Sequence, residues 1–147
     1  MELGAPYEYD DRMDKECVPL CDALNALPGI RTIESCCGHG QHSFRVYFLV
    51  DGTNSMQGLF FLTRCVDRRY WEYGGSWDIT LSVADVVHDG ILPTVFCLSS
   101  GTAKGQEAYD QVSSLIDNMN HHLNHANFIK EFGINLDGFV VSHWVDK

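Results

Sequence analysis

The segment Ser43–Val50 constrains the fold of this chain more than any other part of the sequence. From Phe44 onward it is almost entirely apolar, which is typical of strands that are buried on both faces. We therefore predict a central strand with a neighbour on each side. Ile30–Cys36 reads as a second strand, and residues 37–42 form a compact turn between the two.

The other elements follow from hydrophobic periodicity. Cys17, Leu20, Leu24 and Leu27 recur at helical spacing and predict a helix over about residues 14–27. Pro19 fits its first turn, which places the start near Glu16 or Cys17. Further helices are predicted from residue 54 or 55 to about 70 and over 106–124, with strands at 76–83, 92–99 and 138–145.

This order of elements predicts an α+β fold. We expect a two-layer sandwich, in which a mostly antiparallel sheet of four to five strands carries the helices on one face. Residues 1–12 are interpreted as an acidic arm and residues 13–147 as a single α+β domain. A chain of 147 residues with 45% hydrophobic side chains suits one domain and is not typical of a disordered or repeat protein.

The charge of the chain limits its partners. The formal net charge is −10, so the far field repels polyanions, and we expect neither duplex nucleic acid nor a membrane as a partner. The distribution is uneven: residues 1–22 hold seven acids and two bases, whereas residues 23–71 hold five bases and three acids. A small anionic ligand therefore remains compatible with the sequence if those arginines converge.

The location of the protein is predicted from what the sequence lacks. No apolar run reaches the length of a membrane span, and the N-terminal residues do not follow a signal pattern. We therefore expect a cytoplasmic protein, in which cysteines are thiols or metal ligands rather than a disulfide framework. The chain has six of them: Cys17, Cys21, Cys36, Cys37, Cys65 and Cys97.

The densest group of reactive side chains lies in and before the turn between the first two strands. Glycines there let a ligand approach the backbone, and the Ser, Thr and His side chains can donate hydrogen bonds to it. Cys36 or Cys37, together with His39, His42 and either Cys17 or Cys21, also suits zinc, but the spacing is not the usual pair of cysteines two residues apart. A glycine turn whose polar groups bond their own backbone explains the composition equally well.

Two further segments carry positive charge. Residues 99–105 join a strand to the N-terminus of the long helix, where amides and Lys104 favour an anion, although backbone capping alone explains the small residues. Arg64 and Arg68 share a helix face beside Arg69, where they suit a phosphate. Trp71, Tyr73 or Trp77 could stack on a base, although a solvated helix edge is an equal alternative. The candidate ligand-binding residues are Thr32, Ser35, Cys36, Gly38, His39, Arg45, Arg64, Arg68, Arg69, Trp71 and Lys104.

Part of this pattern resembles a known family. The run LCDALNALPGI at residues 20–30, then Thr32 and the turn Ser35-Cys36-Cys37-Gly38-His39-Gly40, resembles the N-terminal segment of the wybutosine-synthesis methyltransferases. Cys37 and His39 stand where that family has Ser and Arg. The size, acidity and layout also resemble small bacteriophage proteins, including the Thoeris anti-defence sponges that bind signals of the cyclic ADP-ribose type. Both resemblances imply a nucleotide-like ligand.

Three functional hypotheses follow. The leading one is non-catalytic sequestration of a cyclic ADP-ribose isomer or cyclic oligonucleotide, as in phage evasion of bacterial immunity, by a homo-oligomer in the host cytoplasm. It requires no metal, no cofactor and no catalytic residue. The second is a metal- or thiolate-dependent enzyme that acts on a nucleotide-like substrate. The third is an acidic nucleic-acid mimic that inhibits a partner protein through residues 1–12.

Overall fold

The computed structural model describes residues 13–51, 56–67, 77–82 and 95–123. Its strands are β1 (Ile30–Cys36), β2 (Ser43–Val50), β3 (Asp78–Ser82) and β4 (Val95–Lys104). Its α-helices are α1 (Val18–Asn25), α2 (Gln57–Val66) and α3 (Gly105–Leu123), and short 3-10 helices lie at Lys15–Cys17 and Gly38–Gly40. The α+β fold class is confirmed. The acidic arm and the strand predicted at 138–145 lie outside the described residues.

The sheet has the order β1-β2-β4-β3, and every neighbouring pair is antiparallel. The central position predicted for β2 is therefore confirmed. Irregularities interrupt the register twice, once between β1 and β2 after Thr32 and once between β2 and β4 after Ser43. In the second, Ser43 pairs with Lys104 but Arg45 pairs with Ser99, so extra residues of β4 bulge opposite Phe44.

The first α-helix begins one or two residues later than predicted and ends at Asn25 rather than at Leu27. Lys15–Cys17 is a 3-10 turn, closed by the Cys17 amide donating to the Asp14 carbonyl at 3.0 Å. Regular α-helix starts at Val18, and Pro19 occupies its first turn as predicted. The second helix ends at Val66 rather than near residue 70, because Asp67 is already extended.

The hydrophobic core lies on one face of the sheet, under all three helices. Phe44, Val46 and Phe48 alternate along β2 and are completely buried in a single cluster with residues of α1, α2 and α3. The opposite face of β2 is only partly buried near the turn, where Arg45 and Tyr47 are half-exposed. The expectation that β2 is buried on both faces is therefore wrong at this end, since alternation places these two polar side chains away from the helices.

Among the described residues, none of the helices is both long and apolar enough to cross a membrane.

Candidate functional site

The turn between β1 and β2 has an unusual backbone. Gly38, His39 and Gly40 follow one another with φ angles of 82°, 52° and 79°. The amides of Gln41 and His42 both donate to the Gly38 carbonyl at 3.0 Å and close the turn. His39 adopts the left-handed conformation, which costs a non-glycine residue roughly 1–2 kcal/mol, and 68% of its side chain is exposed.

Gly38 is required at its position for two reasons, and this gives a prediction. A Cβ atom there would lie 2.9 Å from the Ser43 carbonyl oxygen, whereas at Gly40, with nearly the same φ, it would meet nothing within 4 Å. We expect Gly40→Ala to lower the free energy of unfolding by about 1–2 kcal/mol, because alanine is strained at a positive φ. Gly38→Ala should lower it by roughly 1 kcal/mol more, because the added Cβ atom is also overpacked. Urea unfolding of both variants measures the difference, and equal losses would contradict the close approach.

Asp14 reaches the turn from the start of the first helix. The Cys37 amide donates to Asp14 Oδ2 at 3.1 Å, and this hydrogen bond lowers the pKa of the carboxyl group. His39 Nε2 lies 3.7 Å from the same oxygen. The Gly38 amide donates to Cys36 Sγ at 3.4 Å. Two successive amides of the turn are therefore directed at the chain's own carboxylate and thiol rather than at an external anion.

The other thiols near the turn belong to the packing. Tyr109 donates to the Cys37 thiol, and this hydrogen bond raises the pKa of the tyrosine to about 12. Cys37 Sγ lies 3.7 Å from His39 Nδ1, but Cys37 is only 3% exposed. Burial raises the pKa of Cys17 to about 12 and also raises that of Cys21, so both remain neutral thiols of the core. The candidate zinc set with Cys17 or Cys21 and His42 is not assembled among the described residues, where the group of possible ligand atoms belongs to Asp14, Cys36 and His39.

Thr32 and Ser35 hold α1 against β1. The Thr32 amide donates to Asn25 Oδ1 at 2.8 Å, Asn25 Nδ2 donates to the Thr32 hydroxyl at 2.9 Å, and Thr32 is 2% exposed. Ser35 is hydrogen-bonded to the thiols of Cys17 and Cys21. These contacts give both side chains a packing role, and ligand binding by Thr32 and Ser35 stays a prediction.

The segment 99–105 lies directly beside the turn. A Cβ atom at Gly105 would come within 3.8 Å of Gly40 Cα. The completely buried hydroxyl of Ser100 accepts from the Phe44 amide at 2.8 Å and donates to the Ala103 carbonyl at 2.9 Å. The Gly101 amide donates to Ser99 Oγ at 3.0 Å. Both serine hydroxyls thus serve the backbone of the β4 bulge, and the exposed Lys104 supplies the charge of this segment.

Arg45 occupies a row of paired residues across the sheet. It pairs with Cys36 on one side and with Ser99 on the other, and Ser99 pairs with Asp78. Within the residues that the structure describes, the Nε atom of Arg45 is buried and has no hydrogen-bond partner. Tyr47 lies two residues further along the same face of β2 and is hydrogen-bonded to Cys97. Sequence reasoning missed Tyr47 and Asp14; alternation with Arg45 along β2 is the signal that points to Tyr47, whereas Asp14 had none.

The arginines of α2 do not join this site. Asn118 Nδ2 donates to the carbonyl of Cys65, next to Arg64, so this end of α2 lies beside α3. Asn118 is thirteen residues beyond Gly105, or roughly 20 Å along the helix from the turn. Arg68, Arg69 and Trp71 lie outside the described residues. The structure therefore brings together Cys36, Gly38, His39, Arg45 and Lys104, but not Arg64.

Two chemically different clusters thus meet at one end of the sheet. The first, Asp14 with Cys36 and His39, presents acceptor atoms to a cation, and the second, Arg45 with Lys104, presents donors to an anion. Comparison with protein-family models, with curated proteins and with solved structures found no match to this chain.

Proposed function

We propose that this protein binds a small nucleotide-derived anion, such as a cyclic ADP-ribose isomer or a cyclic oligonucleotide, without converting it. The site that we propose is the face of the sheet around Arg45, Lys104 and Tyr47. In a phage-encoded protein, such binding would sequester an immune signal of the bacterial host, since removal of the signal needs no chemistry.

The observation that carries this proposal is the buried Nε of Arg45, which has no hydrogen-bond partner among the described residues and lies near Lys104 at the turn. The Nε of Arg64 is buried as well, but that residue lies beside α3, far from the turn. A buried donor without a hydrogen bond costs roughly 1–3 kcal/mol, and more for a charged group. An anionic oxygen at this position would remove that cost, and guanidinium groups bind phosphate oxygens in a bidentate manner. Arg45 is therefore prepared for a ligand by the burial of its Nε atom as well as by its charge.

Lys104 and Tyr47 extend the site on either side of Arg45. Lys104 pairs with Ser43, which precedes Arg45 by two residues and so lies about 7 Å away along the same face of β2. Lys104 and Arg45 are therefore diagonal neighbours on adjacent strands, and two such cations suit a ligand with two charged groups. Tyr47 follows Arg45 on that face and offers an aromatic ring on which a base can stack.

Calorimetry with an arginine pair tests the proposal. Native mass spectrometry of the purified chain against cyclic dinucleotides, cyclic ADP-ribose isomers and pyrophosphate first identifies a bound compound and the oligomeric state. We expect Arg45→Gln to weaken that compound's binding about 10- to 100-fold, because a charge-assisted hydrogen bond contributes about 1.5–3 kcal/mol. Arg64→Gln is the matched control, since it removes the same charge far from the turn. This variant should bind the compound with the same affinity as wild type.

Other results of this experiment contradict the proposal. Equal losses in the two arginine variants would indicate a general charge effect rather than a site at Arg45. Conversion of a compound in the panel would favour the metal- or thiolate-dependent enzyme instead. The absence of any adduct would favour the acidic inhibitor, whose activity is expected to depend on residues 1–12.

A further inference from the structure

We propose that Asp14, Cys36 and His39 bind a zinc ion, with the fourth position of a tetrahedral centre left to solvent or to an anionic donor. One carboxylate oxygen, one thiol sulfur and one imidazole nitrogen lie within 4.8 Å of one another in this cluster. The three residues come from the start of the first helix, the end of β1 and the turn. This site adjoins the anion site, since Cys36 pairs with Arg45, but it shares no residue with that site and does not depend on it.

Coordination requires the ligand atoms, which lie within 4.8 Å of one another, to approach by about 1.5 Å at most. Atoms bound to one tetrahedral zinc lie roughly 3.3–3.6 Å apart, given the usual lengths of zinc bonds to oxygen, nitrogen and sulfur. Asp14 Oδ2 and His39 Nε2 are already 3.7 Å apart. The side chains of His39 and Asp14 are 68% and 24% exposed, so an ion can reach the cluster from solvent.

Hydrogen bonds from the backbone prepare two of the three ligands. The Gly38 amide donates to Cys36 Sγ at 3.4 Å and so holds the sulfur atom beside the turn. The Cys37 amide donates to Asp14 Oδ2 at 3.1 Å and orients the carboxylate toward His39. His39 has a φ angle of 52°, and in this backbone conformation its imidazole lies beside the Asp14 carboxylate.

The set of ligand atoms selects the metal. Calcium and magnesium prefer oxygen ligands, whereas a mixed set of oxygen, sulfur and nitrogen suits zinc. Within the part of the chain that the structure describes, the cluster has three members, and His42 is not among them. Three protein ligands are typical of zinc sites that keep one exchangeable position.

Metal titration of the metal-free full chain tests this proposal, in a buffer without phosphate or nucleotides. We expect one zinc ion per chain in competition with a chromogenic chelator. Cys36→Ser, Asp14→Asn and His39→Asn should each weaken zinc binding about 100-fold or more, since even outer-shell substitutions cost 10- to 100-fold. Asparagine is chosen at position 39 because it tolerates the left-handed conformation. Co²⁺ should give a thiolate charge-transfer absorption in wild type that is lost in Cys36→Ser.

His42→Asn is the matched control, because it removes an exposed imidazole three residues away and should leave the zinc affinity unchanged. Zinc should also raise the Tm of wild type and of His42→Asn but not of His39→Asn, because only a bound ion stabilises the folded state. Circular dichroism of the metal-free variants establishes that they fold. The proposal is overturned if wild type binds no stoichiometric zinc, if Cys36→Ser retains the wild-type affinity, or if the two histidine variants lose it equally.

Discussion

Gly58→Ala should destabilise the protein by about 3 kcal/mol or more, at the upper end of what overpacking costs. A Cβ atom at this position, in the first turn of α2, would lie 2.2 Å from the Pro28 carbonyl oxygen and 3.2 Å from Leu27 Cβ. The carbonyl belongs to the backbone that leads into β1, so it cannot rotate away as a flexible side chain would. Glycine to alanine in a helix is otherwise stabilising by roughly 0.5–1 kcal/mol, which makes the sign of the effect diagnostic.

Urea unfolding followed by circular dichroism measures this loss, with Thr63→Ala as the control. Thr63 is exposed on the same helix and bonds only the Phe60 carbonyl in its own turn, so its replacement should change stability by less than about 0.5 kcal/mol. A Gly58→Ala protein as stable as wild type would mean that α2 does not approach Pro28 as described.

Ser100→Ala should have the second large effect, a loss of about 3–4 kcal/mol, because two buried backbone groups lose their partner at once. The Ser100 hydroxyl accepts from the Phe44 amide and donates to the Ala103 carbonyl, and the residue is completely buried. These bonds define the bulge of β4 that sets Lys104 opposite Ser43 and Ser99 opposite Arg45. The variant should therefore also bind the anionic ligand more weakly.

Ser99→Ala is the matched comparison for stability. Ser99 is half-exposed and accepts one hydrogen bond, from the Gly101 amide, so its loss should cost about 0.5–1.5 kcal/mol. Equilibrium unfolding of the two serine variants side by side measures the contrast. If Ser100→Ala cost no more than Ser99→Ala, the bulge would not depend on the buried hydroxyl, and the explanation for the register would fail.

Much of the fold could be predicted because it depends on local patterns. The bounds of β1 and β2 agree with the prediction, since a buried apolar run and a glycine-rich turn leave few alternatives. The buried stripe Cys17, Leu20, Leu24 and Leu27 also agrees, because helical periodicity reports directly which face is covered. The end of α2 was predicted less well, since hydrophobic periodicity continues past Asp67 although the helix does not.

The candidate site was harder to predict because it depends on contacts between distant residues. Asp14 lies 22 residues before Cys36, and nothing in its neighbourhood distinguishes it from the other acids of the N-terminal region. The distance of Arg64 from the turn could not be predicted, because it depends on which end of α3 packs against α2. Hydrophobic periodicity does not determine that contact. Which face of the sheet Arg45 occupies followed only from the register of β2.

The central claim is that Arg45 binds an anion through its buried Nε, and NMR of arginine side chains tests it most directly. The Nε–H resonances of ¹⁵N-labelled protein are followed while the bound compound from the panel is added. We predict that the Arg45 resonance shifts and that its exchange with water slows, while the Arg64 resonance stays unchanged. Formation of the complex without a change at Arg45, or with equal changes at both arginines, would contradict the account.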